Sequence, residues 1–209
     1  MAVFSSAVPF VFRNEGGFQA NPNDPCNYDA NGVLIGTNWG ISGRVAREMG
    51  YQGRMEDLTK DQALDIYAGQ YWSGLDGVES QPVATKLLDA RVQFGVGGGT
   101  QVAQAALNQF EGVSVSVDGR FGPATLEAIN SVDPGEYLQA LCDAMAQRYR
   151  ENVAREPAKA VFLEGWLSRA AKIPGGLLES AVDTITENPG SSSMILLALV
   201  GAGLLLARR

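Results

Sequence analysis

The sequence predicts an α+β fold that is predominantly α-helical, with one small β-hairpin near the N-terminus and a hydrophobic helix at the C-terminus. Three observations carry this prediction. Apolar residues recur at helical spacing over most of residues 42–172. Only residues 27–35 carry the signature of two short strands around a tight turn. Residues 194–207 are apolar or small throughout and follow a flexible linker. Consecutive helices with an isolated hairpin indicate α+β rather than an alternating α/β order.

The first helix is predicted over residues 5–15. Phe4, Val8, Val11 and Phe12 share one face, Glu15 continues it, and Gly16-Gly17 ends it. Residues 18–41 read as non-helical. Asn21-Pro22-Asn23-Asp24-Pro25 is a run of turn formers. Asp29-Ala30-Asn31-Gly32 is a hairpin turn, with Asn27-Tyr28 and Val33-Leu34-Ile35 as its strands. This arrangement puts Asp24 at the start of the hairpin and Thr37 just past its end.

From Ser42 the chain turns helical. Ser42 caps a short helix through Met49, and Thr59 with Gln62 forms a capping box for a helix bearing Ala63, Ile66, Tyr67 and Tyr71. Pro82 suits the first turn of a helix that buries Val83, Leu87, Ala90 and Phe94. Gly95-Val96-Gly97-Gly98-Gly99 lacks the setting of a nucleotide loop and reads as a tight helix–helix connection. Thr100 is expected to cap the next helix, with Ala103, Ala106, Leu107 and Phe110 inward. Val113–Val117 alternates like a short strand and leads to the turn Asp118-Gly119-Arg120-Phe121-Gly122-Pro123. Pro123 and Pro134 open two more helices, the second carrying Tyr137, Leu141, Met145 and Tyr149, and a last one holds Phe162, Leu163, Trp166 and Leu167. Beyond Pro174-Gly175-Gly176 lie a short amphipathic segment, the linker, and the apolar residues 194–207 closed by Arg208-Arg209.

Composition narrows the chemistry. The 209 residues carry a net charge of −7. All of it lies in residues 1–150, which hold 17 acids and 10 bases; residues 151–209 hold six of each. An acidic body argues against nucleic acid as a partner. There is no histidine, which excludes Ser-His-Asp and Cys-His catalysis and any histidine-ligated metal. No metal or other cofactor is expected. Cys26 and Cys142 could pair, though nothing in their spacing requires it. No cleavable signal peptide is expected at the N-terminus.

Carboxylates, hydroxyls, lysine and two cysteines remain as tools for hydrolysis. Glu15, at the end of a buried stripe, is expected to be partly desolvated; its acid form then persists near neutrality and can donate a proton. Read alone, it is equally a partly exposed glutamate at a helix C-terminus. Asp118 and Arg120 either bind a ligand or only shape their turn.

Several motifs then fall into register. Val8-Pro9-Phe10-Val11-Phe12 with Glu15-Gly16-Gly17, Asn23-Asp24-Pro25 and Gly36-Thr37-Asn38-Trp39-Gly40-Ile41-Ser42 resemble the phage and bacterial N-acetylmuramidase (endolysin) family. Ile66-Tyr67 with Tyr71-Trp72, the segment 117–125, Leu141-Cys142-Asp143-Ala144 and Gly165-Trp166-Leu167-Ser168-Arg169 extend the resemblance, which covers about residues 4–172. The resemblance implies a lysozyme-like fold, hydrolysis of the β-1,4 bond between N-acetylmuramic acid and N-acetylglucosamine, and a C-terminal peptidoglycan-binding region. It implies Glu15 as general acid, Asp24 as the residue that activates or orients water, and Thr37 as the one that holds it, with inversion at the anomeric carbon. Two departures stand out. Asp24-Pro25-Cys26-Asn27 replaces the family's Asp-Pro-Gly-Gly with a longer hairpin, and Asp89-Ala90-Arg91-Val92-Gln93-Phe94-Gly95 places Gln93 where the family often has asparagine. Gln93 still offers an amide to sugar hydroxyls, and with a glycan as substrate Trp39, Tyr71 and Trp72 become candidates for stacking on sugar faces, each also readable as an ordinary core aromatic.

The expected organisation is a catalytic region at 1–95, a helical peptidoglycan-binding region at 96–172 completing the fold, an amphipathic segment and linker at 173–193, and a membrane tail at 194–209. The expected function is a muramidase acting in phage-mediated wall degradation at lysis or on penetration of the host. The alternatives are a catalytically silent wall-binding virion protein on the same fold, and a lytic transglycosylase. Expected partners are peptidoglycan, a membrane through residues 194–207, and other virion or lysis proteins. The body is expected to face the periplasm and cell wall, tethered to a host inner membrane or a virion membrane.

Overall fold

The computed structural model describes residues 1–12 and 16–175, and residues 1–171 form one unit. Helix α1 (Phe4–Phe12) buries Ala7, Val8, Phe10 and Val11; of the stripe expected from the sequence, Val8 and Val11 are buried while Phe4 and Phe12 are half-buried. Its predicted continuation to Glu15 falls on residues 13–15, outside the described residues. Two short antiparallel strands follow, β1 (Thr37–Asn38) and β2 (Ile41–Ser42), paired Thr37 with Ser42 and Asn38 with Ile41. Ser42 then caps α2 (Gly43–Glu48) by accepting from the Val45 N–H. Thr59 and Gln62 complete a capping box at α3 (Lys60–Tyr71), each side chain accepting from the other residue's backbone N–H.

Next come α4 (Gln81–Leu107), α5 (Pro123–Ser131), α6 (Pro134–Arg155) and α7 (Leu163–Ala170). Proline occupies the first turn of α4, α5 and α6, where its missing N–H costs nothing. Asp133 caps α6 by accepting from the Gly135 and Glu136 N–H groups, both at 2.9 Å. The rest of the fold is built around α4. Every residue from 83 to 91 is buried, so this half of the helix is covered on all sides. It packs against α1, α3 and α6.

The glycine run does connect two helical halves, and it does so through one residue. Gly95 alone leaves the helical region, at φ 74° and ψ 162°, and the helix resumes at once. The second half turns back against the end of the first. A Cβ at Gly99 would lie 2.5 Å from the Arg91 backbone nitrogen, so glycine is required there.

Three local expectations are corrected. Thr100 does not cap a helix; it lies inside α4, and its hydroxyl donates to the Val96 carbonyl at 2.8 Å. Residues 113–117 form no strand, because the Asn108 side chain binds both the N–H and the carbonyl of Val115, taking the place of a partner strand. The hairpin strands lie later than expected. Tyr28 and Leu34 form only an isolated bridge. Asp29 Oδ1 accepts from the N–H groups of Asn31 and Val33, and the Asn27 carbonyl accepts from Ile35 and Gly36, closing residues 27–36 into a loop. The tight turn is Trp39-Gly40, both left-handed at φ 54° and 71°, as a two-residue hairpin of this type requires. Cys26 and Cys142 are both free.

Candidate active site

The loop between α1 and β1 is held by a pair of amides. Gln19 Nε2 donates to Asn27 Oδ1 at 3.0 Å, and Asn27 Nδ2 donates back to Gln19 Oε1 at 2.8 Å. Asn27 is fully buried, and its amide also donates to the Asn21 carbonyl. Gln19 connects this pair to both expected site residues. Its side chain donates to Asp24 Oδ2 at 3.3 Å. Its backbone exchanges two 2.8 Å hydrogen bonds with Thr37. Neither Gln19 nor Asn27 stands out in the sequence, because their role depends on pairing across the loop.

Asp24 is half-buried, and its Oδ1 accepts from the Cys26 N–H at 3.0 Å. The carboxylate is therefore oriented by two donors. Partial burial and then the Asp24 carboxylate beside it push the Cys26 thiol pKa up. The Thr37 hydroxyl is buried and has no hydrogen-bond partner among the described residues. Gly36, at φ 83°, allows the close approach of β1 to Gln19, since a Cβ there would sit 2.8 Å from the Gln19 carbonyl oxygen. Glu15, the expected proton donor, lies outside the described residues, between Phe12 and Gly16.

Trp39 is the one non-glycine residue with a left-handed backbone among the described residues. Two hydrogen bonds hold it there: its indole N–H donates to the Leu58 carbonyl at 2.8 Å, and the Tyr67 hydroxyl donates to the Trp39 carbonyl at 3.0 Å. An aromatic row runs Trp39, Phe12, Tyr67, Tyr71, with ring centroids 5.9, 5.0 and 5.4 Å apart. Trp39 and Phe12 are half-buried, whereas Tyr67 and Tyr71 belong to the core. Trp72 is also in the core, edge-on to Phe4.

Gln93 lies elsewhere on α4. Its amide nitrogen donates to the Tyr149 hydroxyl at 3.0 Å, and its oxygen accepts from Arg169 Nη1 and Nη2 at 3.0 and 3.1 Å. One helical turn earlier, Asp89 Oδ1 meets Arg169 Nε and Nη2 at 2.9 and 2.8 Å, and Asp89 Oδ2 meets the buried Lys86 ammonium at 3.2 Å. Asp89 and Gln93 thus clasp Arg169 of α7 from one face of α4, and Gly95 supplies the kink after them. Arg91 faces elsewhere. Its Nη1 donates to the Tyr71 and Ser73 carbonyls, and its guanidinium stacks 4.5 Å over Phe121. Burial lowers its pKa to about 10, so it keeps its charge at neutral pH.

The 118–125 turn is organised from within. The buried Gln104 amide donates to Asp118 Oδ1, to the Arg120 carbonyl and to Thr125 Oγ1, and accepts from the Gly119 N–H. The Arg120 N–H and then the Gln104 amide hold the Asp118 carboxyl below the usual carboxylate range. Asp118 therefore shapes its loop.

Comparison with protein families decides the identity of both regions. Residues 8–95 match the model described as Glycosyl hydrolase 108, and residues 99–171 match the one described as Predicted Peptidoglycan domain. The chain carries a glycosyl hydrolase 108 domain. It is a lysozyme-like glycoside hydrolase that acts on peptidoglycan, with muramidase activity, and peptidoglycan is its partner. Among solved structures it is similar to that of Brucella abortus SagA, with a TM-score of 0.63 and 28% identity over 80% of this chain and 89% of that one. No curated protein matches the chain. The glycosyl hydrolase 108 match ends at Gly95, so the single bent helix α4 supplies its first half to the hydrolase and its second half to the peptidoglycan domain.

Proposed function

We propose that this muramidase uses Glu15 as general acid, Asp24 to activate or orient the attacking water, and Thr37 to hold that water. The Thr37 hydroxyl carries the reading. A buried hydroxyl left unpaired costs about 1–3 kcal/mol, and a water or sugar hydroxyl bound during the reaction would satisfy it. Gln19 ties its strand to the Asp24 carboxylate, so the two groups are placed by one residue. Glu15 is assigned from the sequence: it is the carboxylate three residues after Phe12 and just before Gly16-Gly17, at the position of the glutamate in the motif that the resemblance rests on. The half-buried Trp39 ring is the platform for a sugar face, since its N–H is already used by Leu58.

Two carboxyl groups with a water between them deliver inversion. Products from purified cell walls test the scheme. Mass spectrometry should find reducing muramic acid ends; 1,6-anhydro ends would instead identify a transglycosylase. Glu15→Gln should lose about 10²–10⁴ of the rate while keeping the parent unfolding midpoint. A fully active Glu15→Gln would overturn the assignment.

We also propose that residues 194–207 tether the enzyme to a host inner membrane or a virion membrane, with the hydrolase facing the cell wall, in phage-mediated lysis or penetration. Support comes from the uninterrupted apolar sequence beyond the linker. These residues lie outside the described part of the chain. Among the described residues, no helix is long and apolar enough to cross a membrane.

A further inference from the structure

The peptidoglycan domain contains a cleft that is separate from the Asp24–Thr37 loop. It lies between the second half of α4 and α6, has a volume of about 540 Å³, and is lined by Gln101, Ala105, Asp143, Gln147, Arg148 and Glu151, among others. Its size is in the range of small-ligand sites. Ala105 and, across from it, Ala144 leave the space open.

The chemistry of the lining is specific. Arg148 is half-buried and makes no hydrogen bond or ion pair among the described residues, although carboxylates flank it on its own helix. Its Nη2 lies over Gly98, 4.0 Å from where a Cβ would be. The flanking acids are already engaged by amides: Asp143 accepts from Gln139 at 3.2 Å and Glu151 from Gln147 at 3.1 Å. A free guanidinium fork suits a carboxylate. Glu151 sits three residues on, along the same face of α6, and an adjacent ammonium would compete for it with Gln147 and with Arg155, whose Nη2 lies 3.8 Å from its Oε2. The lining includes no aromatic residue, so it lacks the flat apolar faces on which a sugar ring would stack.

We propose that this cleft binds the stem peptide of peptidoglycan, with the free amino-acid head of its diamino acid set between Arg148 and Glu151. The proposal rests on the peptidoglycan-binding reading of residues 99–171 and assigns that binding to the peptide instead of the glycan. The glycan then remains for the hydrolase loop, so the two regions grip different parts of one polymer.

The test uses the full chain. Free L-alanyl-D-isoglutamyl-meso-diaminopimelate is titrated by calorimetry, and retention is measured on intact walls and on glycan strands stripped of peptide. Saturable peptide binding is expected, weakened about tenfold or more in Arg148→Gln. Ala105→Trp, which fills the cleft from an exposed position, should weaken it equally, with both variants keeping the parent unfolding midpoint. Peptide binding that is unchanged in both variants would overturn the site. Retention on stripped glycan equal to that on intact walls, without peptide binding, would overturn the peptide assignment and leave wall binding standing. No retention on any wall material would overturn the binding reading itself, and the cleft proposal with it.

Discussion

At the residue scale, the site is a division between groups that hold the loop and groups left for chemistry. Gln19 and Asn27 spend their amides on each other, on Asp24 and on Asn21. Thr37 uses its backbone on Gln19 and leaves its hydroxyl unpaired among the described residues. Thr37→Val separates these roles. The valine methyl fills the hydroxyl's volume and removes an unsatisfied polar atom, so stability should stay within about 1 kcal/mol of the parent in urea unfolding. Turnover should fall at least roughly tenfold, the scale expected when one group that organises the transition state is lost. Full turnover in Thr37→Val would leave the hydroxyl without a catalytic role. Asp24 and Thr37 are legible in the sequence because short polar motifs carry them. Gln19 is not, because a surface glutamine acquires its role only when the loop brings Asn27 beside it. Lys86 and Arg91 are also hidden: charges in a helix pattern read as exposed, yet α4 buries both by giving them an acid, carbonyls or a ring.

At the element scale, signals confined to a few residues are readable and signals set by packing are not. The Ser42 and Thr59 caps and the proline-started helices are local chemistry, and they stand where the sequence puts them. The strands lie later than the sequence suggests because Asn-Gly at 31–32 is a strong turn signal, whereas the actual turn needs a left-handed tryptophan that only its bonds to Leu58 and Tyr67 sustain. The glycine run reads as a connection, but its two tasks, the kink at Gly95 and the crossing at Gly99, depend on where the second half of α4 lands. Two alanine substitutions tell these glycines from ordinary ones. Gly99→Ala drives a Cβ into the backbone of residues 90 and 91 and should cost about 2 kcal/mol or more. Gly165, inside α7, has no neighbouring atom within 4 Å of where its Cβ would stand; Gly165→Ala should stabilise by about 0.5–1 kcal/mol through helix propensity alone. Denaturant midpoints of the two variants shifting in the same direction would refute the crossing.

At the scale of the whole molecule, α4 makes the two family regions mutually dependent. α4 packs against α6, and α7 supplies both the arginine side chain that Asp89 and Gln93 hold and the Arg169 carbonyl to which Lys86 donates. A fragment ending at residue 95 would expose this face and leave Asp89 and Lys86 without Arg169. It should therefore fail to fold, and the intact body should unfold in one transition. The tail obeys a different logic. The body of residues 1–171 forms its own unit, and truncation near residue 188 leaves every one of its residues in the chain. The truncated protein should clear walls in solution as the parent does. It should also lose membrane partition, while the full chain stays with vesicles of anionic and zwitterionic lipid after a high-salt wash. Salt is the discriminating variable: attraction between the terminal Arg208-Arg209 pair and lipid headgroups is screened within a Debye length of about 3 Å at 1 M salt, whereas burial of residues 194–207 in hydrocarbon is not. Release by salt would reduce the tail to a surface contact, and a full chain that never sediments with vesicles would remove the tether.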